Sequence, residues 1–230
     1  YGAAVVTTLG CIIALFEFVF YQECIDPLFK KTDGYNISGI VEPDEEVQKI
    51  IIISGHYDSP YVFRFLNKNQ RWYKLRVTIN TVLYLLITGI SLWYSWFQFI
   101  KIDGSHLDPL LLLAIGAGII FISQYFFFVS WEVSPGAGDN LISAAMVIKL
   151  SELFSGRKLK DLPLKHTRLV FLCPDAEESG LRGAREYVKQ HKLQYRDIPT
   201  YNFNMDSIYR LEDLRFLRSE INGTVQLDKS

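Results

Sequence analysis

The chain has 230 residues, 49% of them hydrophobic and 14% aromatic, with 24 Lys and Arg against 25 Asp and Glu for a formal net charge of −1. A balance this close to neutral offers nothing to a polyanion, so no nucleic-acid partner is expected. Three cysteines, Cys11, Cys24 and Cys173, share no CxxC-type spacing, which argues for free thiols and for a reducing compartment on the side that Cys173 faces.

The sequence opens inside an apolar run with no initiator methionine, and it is read as part of a longer protein. Tyr1 to Tyr21 has the composition of a membrane span interrupted by Glu17, giving a truncated transmembrane segment over 1–22, with a buried amphipathic helix as the alternative. Tyr35 to Val41 and Lys49 to Ser54 are short β-branched runs on either side of the polar turn Glu42–Glu46, which predicts a strand pair. Val77 to Ile100 then offers 24 residues without a charge, and Pro109 to Trp131 another 23. Each would make a helix of roughly 35 Å, against about 30 Å for a bilayer core. Trp93, Tyr94, Trp96 and Phe97 gather at one end of the first run, and Phe126, Phe127, Phe128 and Trp131 at one end of the second, as expected at a lipid–water boundary. Together they predict a transmembrane hairpin over 77–131. Arg64, Lys68, Arg71, Lys74 and Arg76 precede it, whereas the connecting loop Lys101 to Asp108 has one Lys against two Asp. The positive-inside rule therefore puts the flanks in the cytoplasm and the loop outside.

Beyond the hairpin, Leu141, Ala145 and Ile148 fall at helical spacing and define a helix from about Asn140 to Phe154. A basic loop (Ser155 to Thr167) leads to a buried strand, Arg168 to Cys173. Gly180 to His191 is helical in composition, with Tyr187 and Val188 as core contacts, and Thr200 to Met205 makes a last strand. Strand and helix alternate, so the fold class is α/β: a mixed, mostly parallel sheet flanked by helices and interrupted by the inserted hairpin. Residues 35–60 and 132–230 are expected to form this one domain.

Four clusters fall at the ends of predicted strands, where open α/β sheets place their sites. They are Gly55-His56-Tyr57-Asp58-Ser59, Pro135-Gly136-Ala137-Gly138-Asp139-Asn140, Asp175-Ala176-Glu177-Glu178-Ser179-Gly180 and Asn204-Met205-Asp206-Ser207. His56 and Asp58 are two apart and share a face of extended chain, so the carboxylate can orient the imidazole. Singly, each cluster has a plainer explanation. Asp139 suits a helix N-cap, Glu177 and Glu178 suit a first helical turn, and a lone histidine is more often structural than a ligand. Four together supply one imidazole and three carboxylates with a spare glutamate, a donor set for zinc.

In this order GHYDS, PGAGDN, DAEESGLRGAREYV and NMD, the sequence resembles the co-catalytic di-zinc exopeptidases, which include secreted bacterial leucyl aminopeptidases and the glutamate carboxypeptidases. The resemblance spans about Tyr35 to Asp206 with the hairpin left out. It implies that His56 and Asp206 hold one zinc and Glu178 the other, that Asp139 bridges the two, that Asp58 supports His56, and that Glu177 is the general base. It also implies a non-proline cis peptide at Asp139–Asn140. Two features depart from the family. The gap between the first two clusters holds the two spans, and the histidine the family needs downstream of the fourth cluster has no counterpart after His191. His191, His166 and His106 read as structural or solvated, so that ligand is expected beyond Ser230. The function expected is a membrane-bound zinc exopeptidase, an aminopeptidase acting on peptides. A glutaminyl cyclase of the same fold and a catalytically inactive membrane receptor or scaffold are the alternatives. Two Asn-X-Ser/Thr sequons, at Asn36 and Asn222, count against the cytoplasmic orientation.

Overall fold

The structure, a computed structural model, describes residues 1–100, 109–158, 160 and 164–217. The loop 101–108 with His106, the part of the basic loop at 159 and 161–163, and the Asn222 sequon lie outside the described residues. The chain divides into two compact units, one of Tyr1–Phe29 with Tyr61–Val133 and the other of Lys30–Pro60 with Ser134–Ser230.

The second unit is an α/β layer. Its four-stranded sheet has the order β1 (Ile37–Val41), β5 (Thr167–Cys173), β2 (Lys49–Ser54), β6 (Thr200–Asn204). β2 runs parallel to both β5 and β6, while β1 is antiparallel to β5 at one edge. The sheet is mostly parallel, as the alternation of elements predicted. Helix α4 (Ile142–Lys158) contributes Ala144 and Val147 to a core with Val41, Leu169, Phe171 and Cys173. Helix α5 (Arg182–Tyr195) contributes Tyr187 to a second core with Ile50, Ile52, Val170 and Leu172. Alternate residues of β5 thus serve two cores, which is why its run reads as continuously apolar.

Two expectations are corrected here. β1 and β2 do not pair with each other; β5 lies between them. A strand apolar on both faces gains most in an interior position. The polar segment after β1 is long enough to step across it, bonding through Asp44 N–H to Leu164 O and Gln48 N–H to His166 O, both at 2.9 Å. Val188 is 57% exposed, because α5 turns Tyr187 inward and Val188 lies about 100° further round the helix. On α4 the buried stripe is Ser143, Ala144 and Val147, while Leu141 and Ile148 face outward. Small residues are selected there because the helix approaches the sheet closely: a Cβ on Gly55 would lie 2.8 Å from Ser143 Cβ.

The first unit is apolar and helical. α1 (Gly2–Ala14) continues through a π turn over Leu15–Val19. α2 (Arg64–Phe99) includes the basic segment before the first apolar run and is interrupted by non-helical backbone at Asn69. Its length of 36 residues corresponds to about 54 Å. The Tyr84 hydroxyl donates to Thr7 O at 2.9 Å, joining α1 to α2. The second apolar run is not one helix. α3 (Pro109–Ile122) gives way to a 3-10 turn over Ser123–Phe127 and then to a strand, β4 (Val129–Val133), paired antiparallel with β3 (Tyr61–Phe63). Pairing with β3 and the clustering of Phe63, Phe65 and Tyr73 around Phe128 draw the chain out of helical conformation. Among the described residues two helices, Gly2–Val19 and Arg64–Phe99, are long and apolar enough to cross a membrane. The second unit is left at Pro60 and re-entered at Ser134, whose N–H donates to Pro60 O at 2.9 Å.

Candidate metal centre

β2 and β6 end together. The buried Ser54 hydroxyl donates to Asn202 Oδ1 at 3.0 Å or to Asn204 Oδ1 at 2.8 Å, and Met205 N–H donates to Ser54 O at 2.8 Å. This lock places the residue after Met205, Asp206, beside the chain that follows Ser54. Gly55 then lets the backbone pass under α4, and His56 follows with 2% of its surface exposed. His56 Nδ1 lies 3.2 Å from Asp58 Oδ1. The same carboxylate accepts Glu177 N–H at 3.2 Å and Glu178 N–H at 3.1 Å. Asp58 therefore orients the imidazole and also fixes the start of the loop after β5.

The other ring nitrogen, Nε2, faces Asp139 Oδ1 at 3.3 Å, Asp206 Oδ1 at 3.5 Å and Glu177 Oε2 at 3.7 Å. Within each of two groups, His56 with Glu177 and Asp206 and His56 with Asp139 and Glu178, the donor atoms all lie within 4.8 Å of one another. The structure thus brings together all six residues singled out in the sequence. The Asp139–Asn140 peptide is cis. The Asn140 side chain, fully buried, donates through Nδ2 to Met205 O at 3.0 Å.

The model of peptidase family M28 matches residues 104–228. The chain belongs to peptidase family M28. No curated protein and no solved structure gives a match. M28 membership makes the chain a zinc-dependent peptidase, and the matched residues include Asp139, Glu177, Glu178 and Asp206. His56 and Asp58 precede that span and join the M28 site through geometry alone.

The residues fit the metal that M28 peptidases use. Nε2 of His56 is buried and has no hydrogen-bond partner, yet carboxylate oxygens surround it. A buried polar atom left this way is costly, and a cation between imidazole and carboxylates relieves both the orphaned nitrogen and the repulsion among the acids. Without a cation, protons carry that burden. Burial disfavours a charged His56, but the carboxylates of Asp206, Asp58 and Glu177 outweigh it and push the imidazole up to about 10. Burial, with the charges of Asp139 and Glu177, pushes Glu178 up to about 7. Burial raises Asp139 and Glu177 as well. The His56 imidazole holds Asp206 below the ordinary carboxylate range.

The other two histidines among the described residues stay outside this centre. His191 stacks on Tyr187 with ring centroids 4.1 Å apart, its Nδ1 2.8 Å from Tyr187 O, and His166 Nε2 lies 3.4 Å from Glu45. Sequence reasoning missed several supporting residues. Asn36 binds Gly183 O through Nδ2 at 2.8 Å and accepts Asp175 N–H through Oδ1 at 3.1 Å, bracing the loop that carries Glu177 and Glu178. Gly183 is needed there because a Cβ would lie 2.6 Å from Asn36 Oδ1. The lock at Ser54 was foreshadowed only by polar residues inside otherwise strand-like runs.

Proposed function

We propose that this M28 peptidase is a membrane-bound aminopeptidase that holds two zinc ions and removes residues from the free amino end of peptides. The single observation carrying the reading is His56 Nε2, buried, without a hydrogen-bond partner and ringed by Asp139, Asp206 and Glu177. His56 and Asp206 would hold one ion and Glu178 the other, with Asp139 shared between them. Zinc bound there supplies an acidified water and a polarised scissile carbonyl.

The chain's own groups do the rest. Asp58 accepts the Nδ1 proton of His56, which leaves the Nε2 lone pair directed at the ligand carboxylates. Glu177 takes a proton from the attacking water at its carboxylate and passes it to the departing amine nitrogen. Burial raises its carboxyl, which suits an acid–base group better than a permanently ionised one. Asp139 and Glu178 lie beside each other's charge and tolerate it only when cations are present. Anchoring falls to α2 and the apolar helix that follows, whose exposed tryptophans and phenylalanines suit an interface with lipid. The basic residues on the N-terminal side of α2 favour a peptidase domain in the cytoplasm. The side chain of Asn36 is engaged with both Gly183 and Asp175, which supports this orientation over one with a glycosylated Asn36.

The test is hydrolysis of aminoacyl anilides by the full-length protein alongside its zinc content. Two zinc ions per chain with cleavage of free but not N-acetylated substrates are expected. Cleavage of the acetylated form would refute the aminopeptidase assignment, and zero zinc would refute the enzyme.

A further inference from the structure

Helix α2 carries its charges at one end. From Arg64 to Arg76 it has five basic residues and no acid, and the 24 residues that follow, Val77 to Ile100, are uncharged. The fold treats the last of these charges differently from the rest. Arg76 is engaged within its own unit: its Nη2 donates to Gln124 Oε1 at 2.6 Å, and its guanidinium carbon lies 3.9 Å from the centre of the Phe65 ring. Lys68, Arg71 and Lys74 are exposed. The ion pairs of the described residues include none of these three, nor Arg64. The neighbouring aromatics are sorted in the same way. Tyr73 stacks on Phe128 with ring centroids 6.2 Å apart, whereas Trp72 is 54% exposed, with the Arg71 guanidinium carbon 5.7 Å from its ring centre.

Position along the helix decides what these groups meet. Lys74 and Arg71 come three and six residues before Val77, which is about 4.5 Å and 9 Å back along the axis. A bilayer of about 40–45 Å around a core of about 30 Å leaves a headgroup layer of roughly 5–8 Å on each side. With the apolar run in the core, Arg71, Trp72 and Lys74 stand at the level of the lipid phosphates, where an exposed tryptophan is also at home. A guanidinium offers a phosphate two parallel hydrogen bonds, and an ammonium offers it a compact charge. Positive charges that no acid of the protein neutralises favour a lipid with a net negative headgroup over a zwitterionic one.

We infer that Lys68, Arg71 and Lys74 form a binding surface for the headgroups of anionic phospholipids, with the Trp72 ring set beside it at the same depth. The inference rests on the membrane-bound reading above and deepens it by naming the lipid. Arg76 is not part of the surface, because its guanidinium is already engaged by Gln124 and Phe65.

The experiment reconstitutes the full-length protein in phosphatidylcholine vesicles and measures, by electron paramagnetic resonance, the motionally restricted fraction of spin-labelled phosphatidylglycerol against that of spin-labelled phosphatidylcholine. Phosphatidylglycerol is expected to be favoured about fivefold or more. Replacing Lys68, Arg71 and Lys74 together by Gln should bring the ratio close to one. Each single substitution, Lys68→Gln, Arg71→Gln or Lys74→Gln, should lower it part of the way, so the singles decide the matter where the triple variant does not fold. Lys68→Arg with Lys74→Arg should keep the wild-type ratio, and about 0.5 M NaCl should reduce it by screening. A wild-type ratio of one, or a preference that survives the Gln substitutions, overturns the inference. So does loss of the preference to inorganic phosphate at constant ionic strength, which would assign the surface to a soluble anion. Release of the wild-type protein from the vesicles by alkaline carbonate would instead overturn the membrane-bound reading, and the lipid surface with it.

Discussion

Asn140 Nδ2 donates to Met205 O at 3.0 Å, so the residue after Asp139 is tied to the residue before Asp206. Two acidic groups, one in the turn that enters α4 and one just after β6, are thereby held at one spacing by a buried amide. Asn140→Ala leaves the part-buried Met205 carbonyl without this donor, at a cost of about 1 kcal/mol or more. Zinc affinity should fall roughly 10-fold to 100-fold, as for supporting residues of other metal sites. Competition with a chromogenic chelator measures this, and unchanged affinity would remove Asn140 from the support of the centre.

Asp58 serves His56 and both backbone N–H groups of Glu177 and Glu178. Asp58→Asn keeps the size of the side chain but offers one acceptor oxygen in place of two. The expected result is a drop in zinc affinity of about 10-fold or more, together with lower thermal stability. Thermal unfolding with and without zinc separates the two effects. Equal zinc-induced stabilisation in mutant and wild type would contradict the role given to Asp58.

Glu177→Gln removes a proton carrier while preserving shape. Turnover should fall by about 100-fold to 10,000-fold with zinc retained. Metal content and kcat measured on one preparation decide it. A variant that keeps full turnover refutes the acid–base role, and one that loses metal shows that Glu177 is a ligand, as its place beside His56 and Asp206 also permits.

Protons and zinc compete for the same centre. His56 at about 10 and Glu178 at about 7 both lie above their ordinary values in the folded, metal-free protein. Their protonated forms favour the fold, so this stability is present in full at acid pH and is lost as pH climbs through about 7 and then about 10. Zinc affinity runs the other way and rises over the same window. Zinc binding should release about one proton at pH 8, from His56, and more than one at pH 6, where Glu178 is also largely protonated. Calorimetry in buffers of different ionisation enthalpy counts these protons. Release that grows with pH would be contrary to the assignment.

The candidate donor set was the most legible part of the sequence, because metal ligation tolerates few residue types. Imidazole and carboxylates at strand ends can be recognised before any contact is known, and His56, Asp139, Glu177, Glu178 and Asp206 do meet. Strand β5 was legible from its unbroken apolar run. Its slot between β1 and β2 was not, since pairing is decided by partners more than 100 residues away in sequence. The failure at Trp131 has the same origin: a composition fit for lipid was overridden by pairing with β3. Val188 misled because an apolar residue marks a helix without saying which stripe faces inward. Asn140 carried no distinguishing mark, as an asparagine entering a helix is commonplace.

The single hydrogen bond between Ser134 and Pro60 has a consequence for how such a protein can be assembled. To the catalytic scaffold, everything over 61–133 is topologically a hairpin turn, since its ends meet. Closure entropy grows only with the logarithm of loop length, so exchanging that excursion for a short glycine-containing connector should leave the sheet foldable and zinc-competent. The same junction stands two residues after Asp58 and five before Asp139. The 61–133 excursion is thus inserted within a few residues, along the chain, of both acidic groups.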